Sequence, residues 1–189
     1  MKKTLSTILT VGVWVASADA QGSVTFNNSA TSIVYRQVYL GSPDLIPMPV
    51  GGGHVELLWA EFGTADLSLF SSVAITDFHT APGRFNGGVV TVPLTTPGGG
   101  ASFYIRGWTG TSLTWAGVYG SDLTGASTIF TVAATGNPTT VPPGTPPSMS
   151  QLGFTGLTLG VPEPSSMALA GLGTVSLLLF RRRVPARQP

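Results

Sequence analysis

The chain has 189 residues, only 9% of them charged, and it contains no cysteine. Disulfide frameworks, thiolate catalysis and cysteine-based metal sites are therefore excluded. The stretch Gln21–Val161 holds three arginines, six acidic residues and no lysine, a net charge of −3 with histidine neutral, so no basic surface for nucleic acid is expected. Its abundant glycine, proline, threonine and serine favour turns between short strands over helices.

The N-terminus has the pattern of a secretory signal peptide. Lys2-Lys3 forms a positive start, Leu5–Ala16 an apolar core, and Ala18-Asp19-Ala20 a small-x-small site for signal peptidase. We predict a signal helix over residues 1–20, export through the Sec translocon, and cleavage between Ala20 and Gln21. The alternative is that this segment forms an N-terminal helix of the folded domain.

Several β-branched or aromatic runs in the body read as strands. The segment Leu67–Ile75 is ambiguous between loop, short helix and strand. A Pro/Gly turn at Thr95–Gly100 suggests that Gly87–Trp108 forms a β-hairpin, with Pro93 at an edge position. The predicted strands are Ser23–Asn27, Ile33–Leu40, His54–Phe62, Gly87–Leu94, Ala101–Trp108, Ala126–Ala133 and Gln151–Leu159.

A Pro/Thr/Gly-rich segment, residues 136–150, interrupts this series and cannot pair in a central sheet. The apolar residues of the last strand change parity at Gly156, which could supply a bulge. The proline-rich segment is therefore interpreted as a connection inside the domain. The fold class predicted is mostly β, a single sandwich-like domain of about seven strands over residues 21–160.

Candidates for chemistry in the body are weak. His54 and Glu56 would share one strand face and could bind a metal, but no third ligand has recognisable spacing, which favours a solvent-facing pair. His79 lies beside Asp77, an arrangement that is usually inert. Glu56 and Glu61 would point to opposite faces, which argues against glycoside hydrolysis. The scattered Asp44, Asp66 and Asp122 lack calcium-loop spacing, and no Gly-x-Ser-x-Gly or phosphate-binding motif is present. We expect no metal, no cofactor and no enzyme activity.

The strongest constellation in the body is aromatic. Tyr104, Trp108, Trp115 and Tyr119 lie within sixteen residues. Alternation along a strand places Tyr104, Arg106 and Trp108 on one face, where a row of rings and an arginine could stack on sugars. The alternative is that these rings are part of the core or its edge, as is most common for Trp and Tyr. Exposure of the row would favour glycan binding, and burial would favour a structural role.

The C-terminal segment, residues 161–189, has three parts. Pro162-Glu163-Pro164 comes first, since flanking prolines hold a peptide extended. An uncharged run follows, with a predicted transmembrane helix over about residues 165–180. From Pro164 this run spans about 25 Å as a helix, slightly less than the about 30 Å of a bilayer core. The basic stop Arg181-Arg182-Arg183 then places this end in the cytoplasm and the body outside.

This order of motif, short apolar helix and basic triplet resembles the sorting signal of PEP-CTERM proteins, which exosortase, a membrane cysteine transpeptidase, processes in Gram-negative bacteria. The resemblance implies a precursor anchored in the inner membrane and then released to the cell surface or extracellular matrix. The alternative is an ordinary C-terminal membrane anchor. Looser likeness to a group of uncharacterised PEP-CTERM proteins rests on Thr25-Phe26-Asn27-Asn28, Arg106-Gly107-Trp108, the Ser127–Val132 strand and the proline-rich segment.

Three functions follow in order of preference. The first is a non-enzymatic surface or matrix protein whose partners are the Sec translocon, signal peptidase, exosortase and the inner membrane. The second is a glycan-binding module on the same route, with extracellular polysaccharide as partner. The third is a secreted enzyme of unknown class. Nucleic acid is not an expected partner.

Overall fold

The computed structural model describes residues 21–39, 42–118 and 122–160. These residues form a mostly β structure with several sheets. Two short 3₁₀ helices, Leu67–Leu69 and Trp115–Gly117, lie between strands. The strands are β1 (Ser23–Asn27), β2 (Val34–Gln37), β3 (Leu45–Pro47), β4 (Gly53–Glu61), β5 (Ser71–Asp77), β6 (Asn86–Thr91), β7 (Ala101–Thr109), β8 (Thr124–Ala126), β9 (Phe130–Val132) and β10 (Leu157–Leu159).

The strands pair into three sheets. Strands β1 and β6 form an antiparallel pair, and β2 lies between antiparallel β3 and parallel β10. The largest sheet runs β5-β4-β7, with β8 and β9 both pairing along the free side of β7. Its centre is the register of β4 against β7, which is unbroken from Gly53 opposite Thr109 to Glu61 opposite Ala101.

The predicted hairpin Gly87–Trp108 is wrong. Strand β6 pairs with β1 and strand β7 pairs with β4, so the two are not neighbours. Beyond β6, Val92 N–H still bonds Gly22 O at 2.8 Å, and Thr95 Oγ1 accepts from Gly22 N–H at 2.9 Å, which carries the chain along β1. The segment between β6 and β7 is long, and β7 pairs with the similarly apolar β4 over nine residues instead.

Most other strand predictions need smaller corrections. β1 has the predicted bounds, whereas Ile33–Leu40 is a strand only at Val34–Gln37. The ambiguous segment Leu67–Ile75 is a 3₁₀ helix followed by β5. The run Ala126–Ala133 divides into the end of β8 and all of β9, and β3 was not predicted because prolines flank it.

One apolar core receives side chains from all three sheets. Val24, Val34, Leu57 and Phe103 come from different strands and are fully buried. The members at least nine-tenths buried are Val24, Phe26, Val34, Met48, Val55, Leu57, Trp59, Phe78, Phe85, Val92, Ala101, Phe103, Ile105, Leu123, Val132, Met149, Phe154, Leu157 and Leu159. The described residues therefore fold around a common centre.

The proline-rich segment lies along the side of β1 that β6 does not occupy. Ser23 and Gly136 exchange backbone hydrogen bonds of 3.0 and 2.7 Å, and Thr25 N–H bonds Pro147 O at 2.8 Å. After this segment Gly156 has φ +102°, a conformation that residues with a Cβ rarely adopt. The change of direction there lets Phe154 and both leucines of β10 reach the core.

Candidate functional site

The predicted aromatic row lies on the outer face of the β4–β7 pair, the face turned away from the core. Cross-strand register places His54 opposite Trp108, Glu56 opposite Arg106, and Leu58 opposite Tyr104. Because side chains alternate along a strand, Phe103 and Ile105 of β7 enter the core instead. The sequence therefore predicted correctly that Tyr104, Arg106 and Trp108 share a face.

Trp108 is not available for stacking on a ligand, because its side chain is 0% exposed. The ring of Trp115, on the second 3₁₀ helix, crosses it edge-on with 5.8 Å between centroids. Trp108 Nε1–H donates to Ser112 O at 2.8 Å, so the indole is also satisfied. An exposed row running from Tyr104 to Trp108 is therefore absent, and the rings of Tyr104 and Trp115 are only partly exposed.

Arg106 is held between two partners. Its Nε donates to Glu56 Oε2, and the exposed side-chain fractions are 22% for the arginine and only 5% for the glutamate. Its guanidinium carbon also lies 4.6 Å from the centroid of the Trp115 ring. A cation over an aromatic face is attracted by the ring quadrupole. The arginine therefore fastens Trp115 over the sheet and neutralises the buried carboxylate.

Tyr104 is the half-buried end of the row. Its ring meets that of Phe70 edge-on, with 6.1 Å between centroids. Burial raises the pKa of the Tyr104 phenol, and the positive charge of Arg106 opposes part of this rise. The phenol is therefore neutral near pH 7, suited to donating or accepting a hydrogen bond at the sheet surface.

The interpretation of His54 and Glu56 as a solvent-facing pair is wrong. Both lie on the outer face, but Glu56 is buried beneath Arg106, and the His54 ring is 5.8 Å from that of Trp108. Sequence reasoning missed the Glu56–Arg106 pair because it joins residues fifty positions apart. The described part of the chain contains no group of three His, Asp or Glu residues able to hold a metal ion.

The other candidate groups have local roles. His79 Nδ1 lies 2.8 Å from Asp77 Oδ1 at an exposed position. Asp66 caps the first 3₁₀ helix by accepting from Ser68 N–H and Ser68 Oγ–H, and these hydrogen bonds lower the pKa of its carboxyl. Glu56 and Glu61 lie on opposite faces of β4, as their parity predicted; Glu61 is exposed at the end of the strand, and Glu56 is buried beneath Arg106.

Asn28, in the Thr-Phe-Asn-Asn stretch, is a buried structural residue. Its Nδ2 donates to Ser32 O at 2.8 Å and to Gly83 O at 2.9 Å, while Oδ1 accepts from Phe85 N–H at 2.9 Å. A buried amide with these partners joins two loops that are far apart in sequence. This part of the motif is therefore explained by packing.

The body ends in a fixed position immediately before the sorting sequence. Leu159 is fully buried, and Gly160 exchanges backbone hydrogen bonds of 2.8 and 2.9 Å with Thr124. Only Val161 separates this anchored residue from Pro162. The motif Pro162-Glu163-Pro164, the basic residues Arg181, Arg182 and Arg183, and the predicted helix over 165–180 lie outside the described residues, as do Ala18 and Ala20.

Comparison with protein-family models identifies a PEP-CTERM protein-sorting motif at residues 160–183. The predicted sorting signal is thereby confirmed, and the motif covers the C-terminal segment without extending over the β-rich body. No curated protein and no solved structure matches the chain. The chain therefore carries a PEP-CTERM protein-sorting motif in its C-terminal segment.

The sorting motif indicates an exported, membrane-associated precursor with exosortase as its processing partner. Within residues 21–39, 42–118 and 122–160, no helix is long and apolar enough to span a bilayer. The predicted transmembrane helix falls in the segment that the structure does not describe.

Proposed function

We propose that this chain is a non-enzymatic cell-surface or extracellular-matrix protein. It is exported by Sec, and signal peptidase removes residues 1–20. The precursor is then anchored in the inner membrane with its body on the periplasmic side. Exosortase then acts at Pro162-Glu163-Pro164 and releases the body. The match to the sorting motif at residues 160–183 carries this proposal.

The short connection between body and motif supports the same route. Because Gly160 is bonded to Thr124 and Pro162 follows two residues later, the motif stays close to the folded body. A mostly β module with several sheets, an apolar core and few charges is suited to a passive surface role. The pairing of Arg106 with Glu56 and the burial of Trp108 use the most conspicuous polar and aromatic groups for stability.

Cell fractionation tests the route. In a host with exosortase, the natural chain should leave the inner-membrane fraction, and a variant with Pro162, Glu163 and Pro164 changed to alanine should remain there. Replacement of three residues in the proline-rich segment, Thr139, Thr140 and Val141, by alanine serves as the matched control. Equal release of the motif variant and the natural chain would contradict the proposal.

Glycan binding is the second candidate, and the partial exposure of Tyr104, Arg106 and Trp115 favours it. A sugar ring could stack on the outer side of Trp115 while Tyr104 donates a hydrogen bond. Sedimentation with the host's extracellular polysaccharide tests this function. Binding that is lost in Trp115→Ala and kept in Trp59→Phe, a substitution in the core, would establish it in place of a passive role.

A further inference from the structure

The body ends beside the tip of one hairpin. Strand β10 is parallel to β2, with Leu159 opposite Arg36. A Cβ added to Gly160 would lie 3.4 Å from Gln37 Cδ, so these two residues are neighbours. Because β10 and β2 run in the same direction, the chain leaves the body towards the turn that joins β2 to β3.

This end of the fold exposes apolar side chains, and we call it the exit end. Its exposed fractions are 65% at Tyr39, 55% at Val50, 47% at Leu45 and 42% at Val38. Val38 and Tyr39 line a cleft of about 440 Å³ together with Pro49, Gly52 and Thr109. The β2–β3 turn and the turn before β4 are thereby brought to one surface.

A positively charged side chain lines the same cleft. Arg36 lines it, and the Arg36 Nε is buried without a hydrogen-bond partner among the described residues. Of the other two arginines of the body, Arg106 is paired with Glu56, and Arg84 donates through Nη2 to Asn28 O, although its Nε is likewise buried without a partner in the described part of the chain. A guanidinium in such a position is suited to an oxygen-rich anion such as phosphate.

Chain length brings the exit end to the membrane. From Gly160 to Pro164 an extended chain reaches at most about 14 Å. Tyr39 lies two residues beyond Gln37, which corresponds to about 7 Å along the strand direction. Tyr39 therefore lies within the distance that the four residues after Gly160 can span. Tyrosine beside aliphatic side chains is the composition found at a membrane–water interface.

Apolar exposure alone does not identify this surface, because the opposite end also exposes Phe62, Leu69 and Leu94. Strand β4 spans nine residues between the two ends, about 30 Å at the usual rise of a strand. Residues 160–183, which carry the sorting motif, follow directly from the exit end. Of these two ends of the described residues, the exit end is therefore the one that a membrane-anchored tail would hold near the lipid.

We propose that the exit end rests on the lipid surface of the inner membrane in the uncleaved precursor. Tyr39, Val38, Leu45 and Val50 enter the interface, and Arg36 meets a lipid phosphate. This inference rests on the proposed sorting route. Asp44 and Asp122 lie at the same end and oppose anionic lipid, so apolar insertion provides most of the contact. Removal of the tail by exosortase would then free a weakly held body.

The full precursor, reconstituted in vesicles of phosphatidylethanolamine and phosphatidylglycerol, provides the test. Because the chain has no cysteine, a single Pro43→Cys substitution at the exit end takes one environment-sensitive fluorophore. Ala65→Cys, at an exposed loop residue of the opposite end, is the matched reporter. We expect blue-shifted emission and loss of iodide quenching at position 43 only. Adding Tyr39→Ser should restore quenching there, and near-ultraviolet circular dichroism checks that each variant is folded.

The outcomes separate the docking claim from the sorting route. A precursor that floats with the vesicles and leaves both reporters equally quenched overturns docking while the sorting route stands. A precursor that does not float overturns both. Protection of both reporters indicates general adsorption and contradicts the proposal. Protection at position 43 that requires exosortase in the vesicles assigns the exit end to the enzyme in place of the lipid.

Discussion

The two faces of strand β7 differ in what covers them. On the inner face Phe103 and Ile105 are sealed among apolar side chains from the three sheets. On the outer face each side chain has its own partner. Tyr104 contacts the ring of Phe70, Arg106 forms an ion pair with Glu56, and Trp108 is covered by Trp115 of the second 3₁₀ helix. The side chains of the inner face are buried by many apolar neighbours, whereas those of the outer face are covered by a few specific partners. A row of aromatic residues on a strand is therefore weak evidence of an open binding surface.

Truncation on each face should show this difference most clearly. Phe103→Ala removes a fully buried ring that packs 5.9 Å from Phe130, and should lower the free energy of unfolding by about 3–5 kcal/mol. Tyr104→Ala, one residue away, should cost about 1 kcal/mol because the ring is half exposed. Urea denaturation of the natural chain and both variants measures the two losses, and equal values would mean that both faces are equally buried.

Breaking the ion pair should give the next largest effect. Glu56→Gln leaves the Arg106 guanidinium without its carboxylate in a largely buried position, and should cost about 1.5–3 kcal/mol. The control Glu61→Gln changes an exposed carboxylate on the same strand and should stay within about 0.5 kcal/mol. A double-mutant cycle with Arg106→Gln isolates the coupling. Additive losses would show that the pair does not hold the outer face together.

Uncovering Trp108 should have a smaller effect on stability but a distinct spectroscopic one. Trp115→Ala removes the ring above it and the contact with Arg106, at a cost of about 1 kcal/mol. The emission of the exposed Trp108 should shift to the red and become quenchable by acrylamide. Trp115→Phe, which keeps a ring, should preserve the shielding, and unchanged emission in Trp115→Ala would mean that another group covers Trp108.

The pH dependence of Tyr104 should be the smallest effect. Because burial raises its folded-state pKa above the ordinary 10.0, the unfolded chain loses this proton first. Its contribution to stability is present below that value and is lost as the pH rises through the folded pKa. Absorbance titration of phenolate should show a late component that Tyr104→Phe removes. A component unchanged by this substitution would contradict the assignment.

The parts predicted correctly from sequence are those that depend on local patterns. β1 has its predicted bounds because Ser23–Asn27 is a short β-prone run set off by polar loops, and the shared face of Tyr104 and Trp108 follows from strand geometry. Which strands pair with each other is harder to predict from sequence. The turn between β6 and β7 suggested a hairpin, but β7 pairs with β4 over nine residues instead. The burial of Trp108 could not be predicted, because it depends on how the segment after β7 places Trp115 against it.

The two regions of the chain also differ in how directly they indicate function. The motif at residues 160–183 is a continuous pattern that is recognisable without the fold. The outer-face cluster joins Glu56, Arg106 and Trp115 from separate segments, and only the folded chain shows that they meet. The cellular destination of the protein can therefore be inferred from one segment of its sequence, whereas the role of the body must be tested on the surface of the folded chain.

The mass of the C-terminal peptide tests the sorting function most directly. In a host with exosortase, the mature protein should end near Pro162-Glu163-Pro164 and lack Arg181, Arg182 and Arg183. The variant with this motif changed to alanine should keep its tail, as should the natural chain in a host without exosortase. Mass spectrometry of the three proteins, with mature chains beginning at Gln21, would confirm processing at both ends. A natural chain that keeps Pro189 in the exosortase host would show that the segment is only an anchor.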